Sequence, residues 1–222
     1  MTSKLLNLSG LSVEEKLEKL SEFKAGKSVT GSIITPPFRV SFASVFEKKF
    51  SPMDKKELYR IALLFPKKTD MSVLKGALKD TADERWGNKP PKGLRNPIRD
   101  GDEKELQGYE DCFFINLKSK EQPDVLNVDG TEIFTSNASD PDSFYSGCWA
   151  QASISCYAYP KENSGASYTP GVAFGLKNLR KVADDEAFSG KTRGADDFGL
   201  KNTASEDASN YEGDDSSDPF DN

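Results

Sequence analysis

Histidine is absent from this chain of 222 residues, and cysteine occurs only three times. The lack of imidazole excludes Ser-His-Asp and Cys-His catalysis, histidine-ligated zinc and any histidine acid or base. An enzyme built on this sequence would have to use carboxylates, lysine or a bound metal ion.

The three cysteines, Cys112, Cys148 and Cys156, form neither a CxxC pair nor an even-numbered disulfide framework, which is typical of a reducing compartment. The chain also has no apolar run long enough to cross a bilayer. Its first residues alternate charge and leucine instead of forming the apolar part of a secretion signal. We therefore expect a cytoplasmic protein without membrane contact.

Charge divides the chain into a near-neutral body and an acidic tail. From Asn202 onwards there are seven Asp or Glu and no Lys or Arg, so a chain of net charge −6 has a body of +1. A segment this poor in apolar residues cannot offset the entropy of ordering. We expect residues 201–222 to form a disordered tail, residues 31–200 to form one domain, and residues 1–30 to form an N-terminal extension.

The extension is predicted to contain a short amphipathic helix. Ser12 and Glu15 have the spacing of a capping box, and Leu17 and Leu20 follow on one apolar face until Gly26 ends the pattern. Such a helix either docks a partner or packs on its own domain.

Five segments have the alternation or the composition of β-strands. They are residues 39–47, 58–65, 112–118, 148–159 and 171–176. In the first, alternation places Val40, Phe42 and Phe46 on one buried side. Five strands with one or two short helices and unequal loops favour a mostly β fold, a small antiparallel Greek-key barrel.

The fourth strand has two contrasting faces. Its even positions, from Ala150 to Ala158, are small and apolar and suit a core, whereas its odd positions include Trp149, Tyr157 and Tyr159. Rings displayed beside polar groups are surfaces on which unpaired bases stack. The alternative is that these rings lie beneath a loop or beneath the N-terminal helix.

Positive charge is concentrated between Lys48 and Lys104, a segment that contains 15 Lys or Arg and 9 Asp or Glu. Trp86 lies within this segment and is a further candidate for base stacking. The candidates for phosphate contacts are Lys67, Lys68, Arg85, Lys89, Lys92, Arg95 and Arg99. Basic residues with interleaved aromatics are typical of single-strand recognition, although a charged segment of this kind is also common on a solvated face.

The acidic tail is predicted to mimic nucleic acid. A tethered polyanion competes for a cationic groove at an effective concentration of roughly millimolar order. The residues assigned to this regulation are Asp214, Asp215, Asp218 and Phe220. The alternative is that the tail only maintains solubility.

Two other functions remain open from the residues alone. Asp100, Asp102 and Glu103 could hold magnesium in a metal-dependent nuclease, although three acids around a glycine are also a common turn. The chain could instead be a DNA-mimicking module that blocks another DNA-binding protein.

Six motifs, in their order and spacing, resemble the tailed-phage single-stranded-DNA-binding proteins, a family formerly classed as a domain of unknown function. They are RVSFASVFE at 39–47, LLFPK at 63–67, NPIRDGD at 96–102, FYSGC at 144–148, GVAFGLKNL at 171–179 and ADDF at 195–198.

The resemblance implies an OB fold that binds single-stranded DNA in replication, recombination and repair, with no catalysis, no cofactor and no metal. It also implies that the acidic C-terminus regulates access to DNA and recruits replication or recombination proteins. The first 38 residues lie outside the resemblance, and a homodimer stays open.

Overall fold

The computed structural model describes residues 5–52, 54–87, 89–137, 140, 142–159 and 169–188. The predicted tail, with Asp214, Asp215, Asp218 and Phe220, lies outside the described residues.

Strands make up most of the regular structure that is described. The two α-helices are α1 (Val13–Lys19) and α2 (Ser72–Trp86), and two 3-10 turns span Leu20–Glu22 and Gly101–Glu103. The strands are β1 (Leu6–Asn7), β2 (Gly26–Lys27), β3 (Ile33–Ile34), β4 (Phe38–Ser51), β5 (Lys56–Pro66), β6 (Arg99–Asp100), β7 (Cys112–Ser119), β8 (Val125–Leu126), β9 (Trp149–Tyr159) and β10 (Gly171–Asp184).

Local chemistry sets the ends of the helices. Ser12 and Glu15 form the predicted capping box of α1, in which the Ser12 amide donates to Glu15 Oε2 at 2.8 Å. At α2, Asp70 Oδ1 accepts from the Ser72 amide at 2.9 Å, and the helix stops at Gly87, whose φ of 58° suits a residue without Cβ.

The five long strands form the frame of the fold. They are neighbours in the order β7-β5-β4-β9-β10, every pair is antiparallel, and β10 also contacts β7. The predicted mostly β, OB-type fold is therefore confirmed, and each of the five predicted strands is present. The short strands were not predicted, because two residues carry no periodicity.

The main core lies between these strands. Val40, Ile61, Ile115 and Ile154 are completely buried, and Leu74 of α2 packs against the same cluster. Each such side chain contributes about 1.5–3 kcal/mol through burial. The three cysteines are free, and burial raises the pKa of Cys112 to about 11 and that of Cys148 to about 12, which keeps both thiols protonated.

One prediction about the core is wrong. Alternation places Phe42 inside with Val40, but the Phe42 side chain is 38% exposed. The pairing of β4 with β5 shifts register between Ser41 and Ser44, and Phe42 has a positive φ of 46°. This β-bulge turns the side chain of Phe42 outwards.

The N-terminal segment packs on the barrel. Leu8 and Leu20 form a second buried cluster with Trp149 of β9 and Val182 of β10. Within the described residues, neither helix combines the length and the apolar character that crossing a bilayer requires.

Candidate nucleic-acid interface

Two tyrosines lie on the outward face of β9 opposite very small residues of β10. Tyr159 pairs with Gly171 and Tyr157 pairs with Ala173 in the antiparallel register. A Cβ atom at Gly171 would lie 2.6 Å from Tyr159 Cζ, and one at Gly175 would lie 3.5 Å from Tyr157 Cε1. The two rings therefore extend over strand positions that carry almost no side chain. We call these five residues the tyrosine platform.

The platform is open on one side. Tyr157 is 49% exposed and Tyr159 is half-buried, so both rings reach the surface, and their role in base stacking stays a prediction. Partial burial, together with Tyr159 and Asp54, raises the pKa of the Tyr157 phenol. The ring therefore stays neutral at physiological pH and presents an uncharged face.

The loop after α2 reaches the platform. The Arg95 amide donates to Pro170 O at 3.1 Å, and the Val172 amide donates to Arg95 O at 3.4 Å. Lys89, Lys92 and Arg95 have exposed side chains in this loop. Three of the predicted phosphate contacts thus lie in a segment that is attached to β10 beside Tyr159.

Two other candidates lie at the end of α2. Arg85 and Trp86 form its last residues, and both are half-buried. The helix packs along β9, where Cys156 Sγ lies 3.6 Å from Ala77 O. Arg85 and Trp86 therefore directly precede the cationic loop.

The hairpin between β4 and β5 carries a residue that sequence reasoning missed. Phe50 is 59% exposed at the hairpin end. The exposed lysines that flank it are Lys48, Lys49, Lys55 and Lys56. Asp54 of the same hairpin is close enough to Tyr157 to affect its pKa. The signal in the sequence was an apolar ring between two lysine pairs.

Lys67, Lys68 and Arg99 already have intramolecular partners. Lys67 pairs with Asp102 and with Asp100, the latter at 3.1 Å, and these contacts raise the pKa of Lys67. Lys68 pairs with Glu14 of α1. The Arg99 guanidinium lies 4.4 Å from the centroid of the Phe114 ring, and burial lowers its pKa.

Trp149 does not lie on an open surface, so that prediction is wrong. Its side chain is only 2% exposed within the cluster made with the N-terminal segment, and Trp149 Nε1 donates to Asp185 Oδ2 at 2.8 Å. The alternative, that this ring lies beneath the N-terminal segment, is the correct one. Parity places Trp149 on the same face as Tyr157, but the residues that flank α1, Leu8 and Leu20, pack only against the Trp149 end of β9.

The acidic cluster of the nuclease hypothesis forms local contacts instead. Asp100 Oδ1 accepts from the Asp102 amide at 3.1 Å, and Asp102 Oδ1 accepts from the Asp111 amide at 2.7 Å. Within the part of the chain that the structure describes, no three acidic or cysteine side chains are grouped to hold a metal ion. The cluster is a turn whose carboxylates are bound by amides and by Lys67.

Comparison with known proteins relates this chain to phage proteins. Residues 31–209 match the family model described as Enterobacter phage Enc34, ssDNA-binding protein. Protein p50 of Acyrthosiphon pisum secondary endosymbiont phage 1 is 31% identical over 163 residues, which cover 68% of this chain and 83% of that protein.

Solved structures share the fold. The single-stranded DNA-binding protein from bacteriophage Enc34 in complex with ssDNA has a TM-score of 0.59 at 23% identity, covering 74% of this chain and 93% of that chain. A C-terminal truncation of the same phage protein has a TM-score of 0.55 at 22% identity, covering 75% and 99%. Since the family model matches most of the chain, the protein described here belongs to the Enc34 phage ssDNA-binding protein family.

Proposed function

We propose that this protein binds single-stranded DNA without sequence preference and without catalysis, and that it protects exposed strands during phage DNA replication, recombination and repair. The observation that carries the proposal is the tyrosine platform beside the cationic loop of residues 89–95. The family is named for a protein that binds ssDNA, and a protein of the same fold was solved with ssDNA bound.

The chemistry of the surface suits unpaired nucleotides. Stacking on an aromatic ring is worth about 1–3 kcal/mol per base, and it is tolerant of sequence because every base has a flat face. Tyr157 and Tyr159 supply two such rings, and Lys89, Lys92 and Arg95 supply charge for the phosphates. The β4–β5 hairpin adds four exposed lysines, and its Asp54 is close enough to Tyr157 to affect the pKa of that phenol.

The acidic tail is part of the proposal. Residues 201–222, with Asp214, Asp215, Asp218 and Phe220, compete with DNA for the cations and recruit replication or recombination proteins. A location in the cytoplasm of the infected cell and a homodimer remain predictions.

Fluorescence anisotropy of labelled oligothymidine tests the central claim. We expect the logarithm of the association constant to fall linearly with the logarithm of salt concentration, by about 0.7 per phosphate neutralised. Replacing both Tyr157 and Tyr159 with Ala should weaken binding by about tenfold or more.

The matched control is Phe134→Ala, because Phe134 is 77% exposed but lines a groove with acidic Asp124 and Glu132. A salt-independent affinity, or equal loss in the control and in the double variant, would contradict the proposed surface. If the chain without residues 202–222 also ignores oligothymidine, the DNA-mimicking alternative is favoured.

A further inference from the structure

Phe42 has an unusual backbone conformation for a large apolar residue. Its φ of 46° lies in the left-handed region, which bulky side chains adopt rarely and which is concentrated at functional sites. The residue lies inside β4, a strand of 14 residues, and not in a turn. The strained conformation therefore lies within a strand that pairs with β5 on both sides of Phe42.

The strain has a definite structural result. Because the register of β4 against β5 shifts between Ser41 and Ser44, the chain turns Phe42 out of the barrel while Val40 and Val45 stay buried. A phenyl ring gains nothing from water, yet 38% of this side chain is exposed. A ligand that covers the ring would account for both the strain and the exposure.

Other rings support Phe42 from one side. Its ring meets Tyr109 edge-on with centroids 6.4 Å apart, and Tyr109 meets Phe114 in the same way at 5.2 Å. Tyr109 and Phe114 are almost completely buried, so Phe42 is the exposed member of this row of aromatic side chains. Phe42 therefore packs on side chains that are themselves buried, which suits a stacking surface.

The neighbouring strand positions are cationic. Ser44, at the end of the bulge, pairs with Arg60 of β5, and Arg60 pairs with Lys118 of β7. These pairs place two basic residues on the strands beside the bulge, and Lys118 Nζ also forms an ion pair with Asp54 Oδ2 at 2.8 Å. Positive charge suits the phosphates of a nucleic acid, and the exposed ring of Phe42 suits its bases.

We propose that Phe42 is a base-stacking residue, and that a single DNA strand crosses the outer face of β4, β5 and β7 at this bulge in addition to the tyrosine platform. The proposal rests on the proposed function, because it assumes that the protein binds single-stranded DNA. In this proposal the β-bulge turns the Phe42 ring outwards so that a base can stack on it.

The test compares Phe42→Gly and Phe42→Leu with the unchanged protein, using labelled oligothymidine of about 20 nucleotides, which is longer than the usual site of one OB fold. Glycine accepts the positive φ and removes the ring, whereas leucine keeps an apolar side chain against Tyr109 but offers no flat face. We expect both variants to bind about tenfold more weakly. We expect the thermal midpoint of Phe42→Gly to stay close to that of the unchanged protein while its affinity for oligothymidine falls.

Phe134→Ala is the matched control, and it should keep full affinity. In Phe42→Trp, the new indole should be quenched by saturating oligothymidine beyond the change seen in the unchanged protein. Wild-type affinity in Phe42→Leu, or no added quenching in Phe42→Trp, would mean that Phe42 only covers Tyr109, and the inference would be overturned. If the unchanged protein itself fails to bind, the proposed function has failed, which is a distinguishable result.

Discussion

Gly171 of β10 makes room for the Tyr159 ring because it has no Cβ atom. Its missing Cβ leaves the space in which the Tyr159 ring lies, and Arg95 Cβ is only 2.9 Å from the point where a methyl group would be placed. A Gly171→Ala change should therefore displace Tyr159 or the cationic loop without removing any ring or charge. We expect ssDNA affinity to fall by about fivefold, equivalent to about 1 kcal/mol of stacking.

Two other glycine-to-alanine variants serve as comparisons for Gly171→Ala. Gly175→Ala should have a smaller effect, because its Cβ would meet the movable Ser155 Oγ at 2.8 Å. At Gly76 in α2, a Cβ would meet no described atom within 4 Å, so Gly76→Ala should keep full affinity and stabilise the helix by about 0.5–1 kcal/mol. Equal affinities for all three variants, measured by anisotropy, would contradict the role of Gly171.

At this scale, strand periodicity predicted part of the site. It gave the outward direction of Tyr157 correctly because nothing in the described chain covers that end of β9 completely. It failed for Trp149, since the covering residues, Leu8 and Leu20, are more than 120 positions away in the chain. It failed for Phe42 because a bulge depends on the pairing of two strands and not on one strand's alternation.

Among the elements, α1 supplies one partner of a buried ion pair. Lys16 Nζ lies 2.8 Å from Asp185 Oδ2, and the Asp185 side chain is fully buried. Burial alone would raise the pKa of Asp185, but hydrogen bonds from Lys16 and Trp149 outweigh it, so the pKa lies below its ordinary value. The sequence indicated an amphipathic helix here but gave no sign of this distant partner.

This ion pair predicts a pH dependence. Because the folded pKa of Asp185 is depressed, its contribution to stability is fully present above the ordinary carboxyl pKa of about 3.9 and is lost as the pH falls through the folded pKa. Asp185→Asn leaves Lys16 buried without its counter-charge and should cost about 3 kcal/mol at pH 7. Urea unfolding at pH 7 and at lower pH should show this difference shrinking below about pH 4.

The control for that measurement is Glu47→Gln, which changes an exposed carboxylate on β4. It should leave the free energy of unfolding nearly unchanged at pH 7. A difference between Asp185→Asn and the unchanged protein that stays constant from pH 7 to pH 3 would show that the charge of Asp185 is not what stabilises α1.

Across the whole molecule, the segment that leads to the tail is fixed to the barrel. The Phe188 amide donates to Ser146 O at 2.9 Å, and its ring lies beneath the Arg39 guanidinium at 4.5 Å. Phe188 also packs in the cluster that contains Tyr109, the ring that supports Phe42. The acidic residues therefore follow a chain position that is anchored on the outer face of the sheet.

This anchoring gives the tail a testable effect on DNA binding. The body carries +1 and the residues after Lys201 carry seven negative charges, so we propose that the tail competes with DNA for the cations of the proposed surface. Deleting residues 202–222 should tighten oligothymidine binding by about tenfold at low salt, and the gain should shrink as salt screens the competition.

A second variant, with all seven tail acids changed to Asn or Gln, separates charge from length and should give the same gain. If the neutral tail leaves affinity unchanged while deletion increases it, the tail acts by occupying space and not by mimicking DNA; if neither change matters, its role lies with partner proteins or with solubility.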